Sequence, residues 1–382
     1  MMKPIKELIA CLLLTSIGLQ AQPEPAPVNV TPIQVVRPGE NIIQLALLLD
    51  VSGSMDGLIS QAQSELWNIV NEVAKAKKNN VNTKLEIALY EYGRSTADKS
   101  NGYVTKLLDY TSDLDTISTV LFSLTTNGGE EYCGHAIANA LKELQWRDNP
   151  NIYRVIFIAG NEPFNQGNEK YINSCNSAKE KGIFINTIHC GDSLKGVKEF
   201  WADGASKGNG SYFFINQNSV KEIATPYDSV LGTMGQTFNT TYWGFGNNAS
   251  FYLSNQTIQD NNAKSKGKSA GVARIAAKTT SVYSNSKWDV VDAFQADSTW
   301  LEKTKEEELP EKMKGLTLVE KKVMIDSLAK SRNDIKNEIA RLNKLRLEYI
   351  AANTPKSAEK TLGMALIEAI HRQAGMKGFV FN

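Results

Sequence analysis

The sequence has few of the residues that cross-link small domains. It contains four cysteines and three histidines in 382 residues. No Cys-x-x-Cys or Cys/His finger spacing occurs, which argues against a structural zinc site. The charges nearly cancel, with 42 basic and 41 acidic residues, so the composition does not indicate a nucleic-acid partner. With 42% hydrophobic and 22% charged residues, the chain is not a disordered, collagen-like or multi-spanning membrane protein.

The N-terminus has the pattern of a secretory signal peptide. Two lysines precede an apolar run from Leu8 to Leu19, and a Pro-rich stretch follows. We predict a signal peptide over residues 1–21, cleaved after Ala21, because the run is too short to span a bilayer comfortably. A lipoprotein signal ending at Cys11 is the alternative. We expect an exported protein, periplasmic or extracellular, with no transmembrane segment after cleavage.

After a Pro-rich linker at residues 22–39, strand-like and helix-like segments alternate up to about residue 225. Ile42–Leu49 is an almost continuous apolar run, as expected for a central parallel strand that is covered on both faces. The alternation predicts an α/β fold with a doubly wound, mostly parallel sheet over residues 40–225. Strands are predicted at 42–49, 84–92, 103–108, 154–159, 183–189 and 211–215, and helices at 58–77, 114–124, 136–144, 169–181 and 195–206.

Residues 226–382 are predicted to form a mixed linker and a helical domain. A long helix over about 317–352 begins at a capping box, in which Thr317 and Glu320 satisfy each other's backbone N–H groups. Its apolar positions recur at spacings of three and four, interrupted by three basic residues.

Something must cover the apolar stripe of this long helix. We expect a shorter helix over about 358–373 and an alanine-rich helix over about 259–281 to pack on it within the chain. The stems of Arg332 and Arg346 would then be buried, with their charged heads at the edge. An intermolecular coiled coil, and hence self-association, is the alternative.

The motif that indicates chemistry is Asp50-Val51-Ser52-Gly53-Ser54, directly after the most hydrophobic strand. Asp50, Ser52 and Ser54 place several oxygens on one side of a tight turn. Hard cations such as Mg²⁺ prefer oxygen ligands of this kind. An ordinary loop with an Asp helix cap is the alternative, but the strand before the turn and the helix after it favour a metal site.

This turn resembles the opening of the metal-ion-dependent adhesion site (MIDAS) of von Willebrand factor A (VWA) domains, and the resemblance extends over about residues 40–225. It implies that the Asp and serines bind a divalent cation directly or through water. It also implies that a Thr in a second loop and an Asp in a third complete the site. The open coordination position would take an acidic group from a partner.

The second and third loops depart from the VWA pattern. Glu130 or Glu131 stands where the family has Thr, with Thr125 and Thr126 as fallback hydroxyls. Asn161 stands where the family has Asp, and Glu162 would replace it after a shift of one residue. We expect Mg²⁺, or else Mn²⁺ or Ca²⁺, at an altered site, and a turn kept without metal is the alternative. The predicted ligands are Asp50, Ser52, Ser54, Glu130, Glu131 and Asn161.

Three cysteines remain after signal cleavage, and an oxidising compartment favours one disulfide. We predict a Cys133–Cys190 bond, because Cys133 lies in the second loop of the candidate site and Cys190 at the carboxyl end of a strand, so both should sit at the same face of the sheet. Cys175 lies on the apolar stripe of a predicted helix and is expected to be a buried free thiol.

These patterns predict a binding protein and not an enzyme. No Ser/His/Asp or Cys/His constellation and no Gly-rich phosphate loop stands out. We expect an exported, cation-dependent adhesion module that recognises an acidic group on a protein or surface partner. The alternatives are a non-catalytic envelope scaffold with a degenerate metal site, and a metal-assisted hydrolase that uses Glu130 or Glu131 as its base.

Overall fold

The computed structural model describes residues 41–218, 222–355 and 360–381. The predicted signal peptide and the Pro-rich linker lie outside these ranges. The strands are β1 (Asn41–Asp50), β2 (Ala76–Lys78), β3 (Val81–Tyr92), β4 (Val104–Thr111), β5 (Tyr153–Gly160), β6 (Phe184–Cys190), β7 (Tyr212–Ile215) and β8 (Val380–Phe381). The helices are α1 (Asp56–Val73), α2 (Leu114–Ser123), α3 (Cys133–Glu143), α4 (Tyr171–Glu180), α5 (Ser193–Lys198), α6 (Trp201–Lys207), α7 (Asp228–Asn239), α8 (Ala249–Ser265), α9 (Lys268–Lys278), α10 (Val290–Ala296), α11 (Trp300–Lys303), α12 (Leu318–Asn353) and α13 (Leu362–Met376).

The sheet is mostly parallel, as predicted. The strands β7, β6, β5, β1 and β3 lie in that order and run parallel, whereas β4 and β2 pair antiparallel with β3. β1 is the central strand, and every residue from Ile42 to Asp50 is buried. Its register places Asp50 beside Tyr92 of β3 and Leu49 beside Ala159 of β5. The predicted α/β fold with helices on both faces is therefore confirmed.

The sheet separates two hydrophobic cores, because successive side chains of a strand point to opposite faces. Leu47 and Leu49 of β1 face the core that contains α1, α2, α9 and α13. Ala46 and Leu48 face the core that contains α3, α4 and α6. Both faces of β1 are covered, which explains why its sequence reads as a continuous apolar run.

The long helix is present as predicted. It spans Leu318–Asn353, and Thr317 and Glu320 form the capping box. One side of the helix is buried against α7, α9 and α10. Its buried residues are Lys321, Ile325, Arg332, Ile339, Leu342 and Arg346. No helix in the described ranges is both long and apolar enough to cross a membrane.

Three expectations about the C-terminal region were wrong. The alanine-rich segment forms two helices instead of one, α8 and α9, which are separated at Gly267, where φ is +124°. The guanidinium heads of Arg332 and Arg346 do not reach the edge, because Asp289 and Asp228 hold them in buried ion pairs.

The last helix, α13, packs against α1, β5 and β6, and not along α12 as expected. Leu366 and Ile370 lie in the same core as α1, and Gln373 accepts a hydrogen bond from the Tyr153 hydroxyl at 2.8 Å. β8 then pairs with β2. The chain thus leaves the sheet after β7, forms α7 to α12, and returns to the α/β core at its end.

Candidate metal centre

The Asp-x-Ser-x-Ser turn connects the buried end of β1 to the start of α1. Val51 N donates to the Tyr92 carbonyl at 2.9 Å, which continues the pairing of β1 with β3. Ser52 N donates to Asp50 Oδ1 at 2.8 Å, and the Asp50 side chain is fully buried. The backbone of the turn therefore fixes one carboxylate oxygen and leaves the other available.

Oxygens from three predicted ligands lack hydrogen bonds. Asp50 Oδ2, Ser52 Oγ and Asn161 Oδ1 are buried and have no partner among the residues that the structure describes. Buried polar atoms are satisfied in the large majority of cases, so such atoms require an explanation. Asn161 Nδ2 donates to Ser54 Oγ at 3.1 Å, which joins the third loop to the first. Hydroxyl, amide and carboxylate oxygens suit a hard divalent cation.

Two glycines allow the loops to approach Asp50. A Cβ at Gly160 would lie 2.9 Å from Asp50 Oδ2. Gly93 has φ +85°, and a Cβ there would lie 2.9 Å from Asp50 Oδ1 and 3.1 Å from Glu131 Cγ. The Asp50 carboxylate and the Glu131 side chain therefore both lie against Gly93. A residue with a side chain at this position would collide with them.

The structure distinguishes between the two glutamates of the second loop. Glu131 is half-buried beside Asp50, whereas Glu130 is exposed and accepts a hydrogen bond from the Tyr132 hydroxyl at 3.5 Å. The fallback hydroxyl of Thr126 donates to Asp56 at the start of α1. Thr125 is exposed. Glu131 is thus the residue of this loop that the fold brings to the candidate site.

The electrostatics of the site favour a bound cation. Burial raises the pKa of Asp50 to about 6, and the negative charge of Glu162 adds to this effect. The pKa of Glu131 is raised to about 7, first by burial and then by the charge of Asp50. Burial and mutual repulsion both disfavour the ionised form of these carboxyl groups. A divalent cation bound between them would favour the ionised form again, because its positive charge offsets both effects.

Gln217 and Tyr92 also position the site, and the sequence pattern does not reveal either. Tyr92 OH donates to the Ala159 carbonyl at 2.9 Å, which fixes β5 next to the third loop. Gln217, beyond β7, donates to the Ser54 carbonyl at 3.0 Å. Both residues act through contacts between segments that are remote in the chain, so their roles could not be predicted from the local spacing of residues.

The predicted Cys133–Cys190 disulfide is not formed, and the three described cysteines are free and buried. The Cys133 thiol donates to the Tyr92 hydroxyl oxygen at 3.7 Å and packs in the same core as Cys175. Cys190 packs in the core on the other face of the sheet. The prediction placed both cysteines at the same face of the sheet, whereas their side chains pack in the cores on opposite faces.

The donor set fits a hard divalent cation better than zinc or copper. Within the described part of the chain, no three His, Cys, Asp or Glu side chains group together as possible metal ligands. The candidate site instead combines carboxylates with the hydroxyls of Ser52 and Ser54 and the amide of Asn161. This combination favours Mg²⁺, Mn²⁺ or Ca²⁺ over zinc or copper.

The fold and the converging oxygens define an α/β protein with a candidate cation site at the carboxyl edge of its sheet. A family model described as "Protein of unknown function (DUF1194)" matches residues 41–225, a little under half of the chain. The match covers β1 to β7 and all the residues of the candidate site. None of the curated proteins matches the chain in sequence.

Several solved structures are similar to part of the chain. BatB from Bacteroides thetaiotaomicron is 16% identical, with 46% of this chain and 91% of BatB covered and a TM-score of 0.36. Proximal thread matrix protein 1 from the mussel byssus, with a zinc-occupied MIDAS motif, is 16% identical over 46% and 42% of the two chains, with a TM-score of 0.34. A von Willebrand factor type A from Catenulispora acidiphila is 12% identical over 46% and 39%, with a TM-score of 0.34. This chain spans less than half of the mussel and Catenulispora proteins, and such low identities do not indicate its ligand.

Proposed function

We propose that this protein is an exported, non-catalytic binding module that uses a divalent cation to recognise an acidic group on a protein or cell-surface partner. The observation that carries the proposal is the set of three buried oxygens without partners among the described residues, from Asp50, Ser52 and Asn161. The sequence resemblance to VWA metal-ion-dependent adhesion sites supports the same conclusion. Mg²⁺ is the expected cation, with Mn²⁺ or Ca²⁺ as alternatives.

Each residue of the site has a chemical role in this proposal. Asp50 and Glu131 supply negative charge, Ser52 and Ser54 supply hydroxyl oxygens, and Asn161 supplies a neutral oxygen. A bound divalent cation with a free coordination position attracts a carboxylate in a partly dry cleft. The turn, with Asp50 and Ser52 buried, holds the donors in place before the partner arrives, which lowers the ordering cost of binding.

Calorimetry with Mg²⁺ tests the metal site directly. The wild-type protein is expected to bind Mg²⁺, and Asp50→Ala is expected to lose binding. Asp326→Ala, an exposed substitution on α12, is the matched control and should bind as the wild type does. Equal affinity in the wild type and Asp50→Ala would refute the metal site.

A pull-down from envelope extract tests the partner. Proteins that bind in Mg²⁺ and are released by a chelator are the expected result, and the Asp50→Ala protein should capture none of them. Partners that are retained regardless of the chelator would instead support the alternative of a scaffold with a degenerate metal site. Self-association through the helical region belongs to that alternative, and light scattering detects it.

A further inference from the structure

A cavity of about 580 Å³ opens beside the candidate metal centre, at the carboxyl ends of β6 and β7. Its apolar lining comes from the last residues of these two strands, and its polar lining comes from the loops that follow them and from Lys360, which precedes α13. The apolar residues are Cys190, Phe214 and Ile215, and the polar ones include Asp192, Ser193 and Asn216 to Asn218.

Gln217 joins this cavity to the metal loop. The residue lines the cavity, and its Nε2 donates to the Ser54 carbonyl at 3.0 Å. Its Oε1 accepts from Leu58 N in the first turn of α1 at 3.2 Å. Because Ser54 is also a candidate cation ligand, a partner group held at a bound cation would lie next to the cavity.

Large apolar side chains are exposed around the same edge of the sheet. Phe214 of β7 is 49% exposed, and Leu194 and Val197 of α5 are 69% and 50% exposed. The Tyr212 hydroxyl donates to the Ser193 carbonyl at 2.9 Å, which holds the start of α5 against β7. Exposed apolar side chains that group in this way mark interaction surfaces, whereas isolated ones do not.

We infer that the cavity receives an apolar side chain adjacent in sequence to the acidic residue that the cation recognises. The partner is therefore a peptide segment in which Asp or Glu neighbours a residue such as Leu, Ile, Phe or Tyr. This inference rests on the proposed function and adds the specificity-determining pocket to it. Burial of such a side chain strengthens binding by about tenfold or more.

Selection from a random heptapeptide display library on the purified protein provides the test. In the presence of Mg²⁺, the selected peptides are expected to carry an acidic residue with an apolar residue beside it. A synthetic peptide from this set should bind about tenfold more tightly than the same peptide with Gly in place of the apolar residue.

Variants of the cavity separate this effect from the metal site. Asn218→Trp reduces the cavity and should abolish the preference for the apolar residue while the Mg²⁺ dependence remains. Asn173→Trp, at an exposed position of α4, is the matched control and should keep the preference. Phe214→Ser is the second cavity variant, to be used if thermal unfolding shows that Asn218→Trp does not fold.

The outcomes distinguish this inference from the proposed function. Mg²⁺-dependent peptides with an acidic residue but no apolar neighbour would overturn the cavity assignment and leave the proposed function standing. A preference that survives in both cavity variants would also overturn it. If no peptide is selected in a Mg²⁺-dependent way, both the proposed function and this inference fail.

Discussion

Arg332 of α12 binds both carboxylate oxygens of Asp289, with Nη1 to Oδ2 at 2.6 Å and Nη2 to Oδ1 at 2.9 Å. The two side chains are 2% and 0% exposed. The guanidinium also lies 4.3 Å from the centre of the Tyr242 ring. This buried, bidentate pair joins the long helix to the segment that precedes α10.

Loss of one partner from this pair should destabilise the protein strongly. Asp289→Ala removes the bidentate partner and leaves the buried Arg332 with Asp292 as its remaining carboxylate, through a single contact of Nη1 at 2.9 Å, so we expect the free energy of unfolding to fall by about 3 kcal/mol. Urea denaturation measures the change. Glu338→Ala is the control, because Glu338 pairs with Arg341 on the exposed side of the same helix, and its loss should cost less than about 1 kcal/mol. Equal losses in the two variants would contradict the prediction.

The second loop provides a matched pair of substitutions. Glu131→Gln removes a carboxylate beside Asp50 and should weaken Mg²⁺ binding by about tenfold or more, since ligand charge sets the affinity for a hard cation. Glu130→Gln changes an exposed side chain and should leave the affinity unchanged. Titration calorimetry with Mg²⁺ measures the affinity of each variant. A stronger effect of Glu130→Gln would mean that the loop presents the other glutamate to the cation.

The cysteines should react as buried thiols. A thiol reagent added without reductant is expected to modify none of Cys133, Cys175 and Cys190 in the folded protein and all three after denaturation, because all three are buried and free. Burial also raises the pKa of Cys175 to about 12, which suppresses its reactive thiolate. If only one of the three reacts after denaturation of protein purified from an oxidising compartment, a disulfide has formed.

Acid should destabilise the helical region through Asp260. Burial favours the neutral carboxyl, but the charges of Arg274 and Lys278 outweigh this and lower the pKa of Asp260 to about 2. Arg274 Nε and Lys278 Nζ lie 2.8 Å and 3.0 Å from its oxygens. Because the folded pKa is below the ordinary value of 3.8, the stabilisation is present above about pH 4 and is lost as the pH falls through 2. It amounts to about 2 kcal/mol.

Asp260→Asn separates this carboxyl from the other acidic groups. The variant should be less stable than the wild type at pH 7, and the difference should shrink between about pH 4 and pH 2, since only the wild type loses the ionised Asp260. Chemical denaturation at several pH values measures both curves. Curves that stay parallel over this range would show that Asp260 does not contribute.

Much of the α/β fold was predictable because its strands and caps are local patterns. The run Ile42–Leu49 is apolar at every position but one, since both faces of the central strand are covered. The Thr317–Glu320 capping box is satisfied within four residues, so it marks the start of the long helix without reference to the rest of the chain. The Asp50–Ser54 turn is equally local, which is why its place at the end of β1 could be predicted.

The sequence by itself determined the order of the main strands and helices up to residue 225, the start of the long helix and the first loop of the candidate site. Only the tertiary structure decided that Glu131 and not Glu130 approaches Asp50, that Cys133 and Cys190 lie on opposite faces of the sheet, and that α13 packs on α1. The physical reason is the same in each case. Helix and strand periods depend on neighbours within a few residues, whereas the face, partner and burial of a side chain depend on which distant segments pack against it.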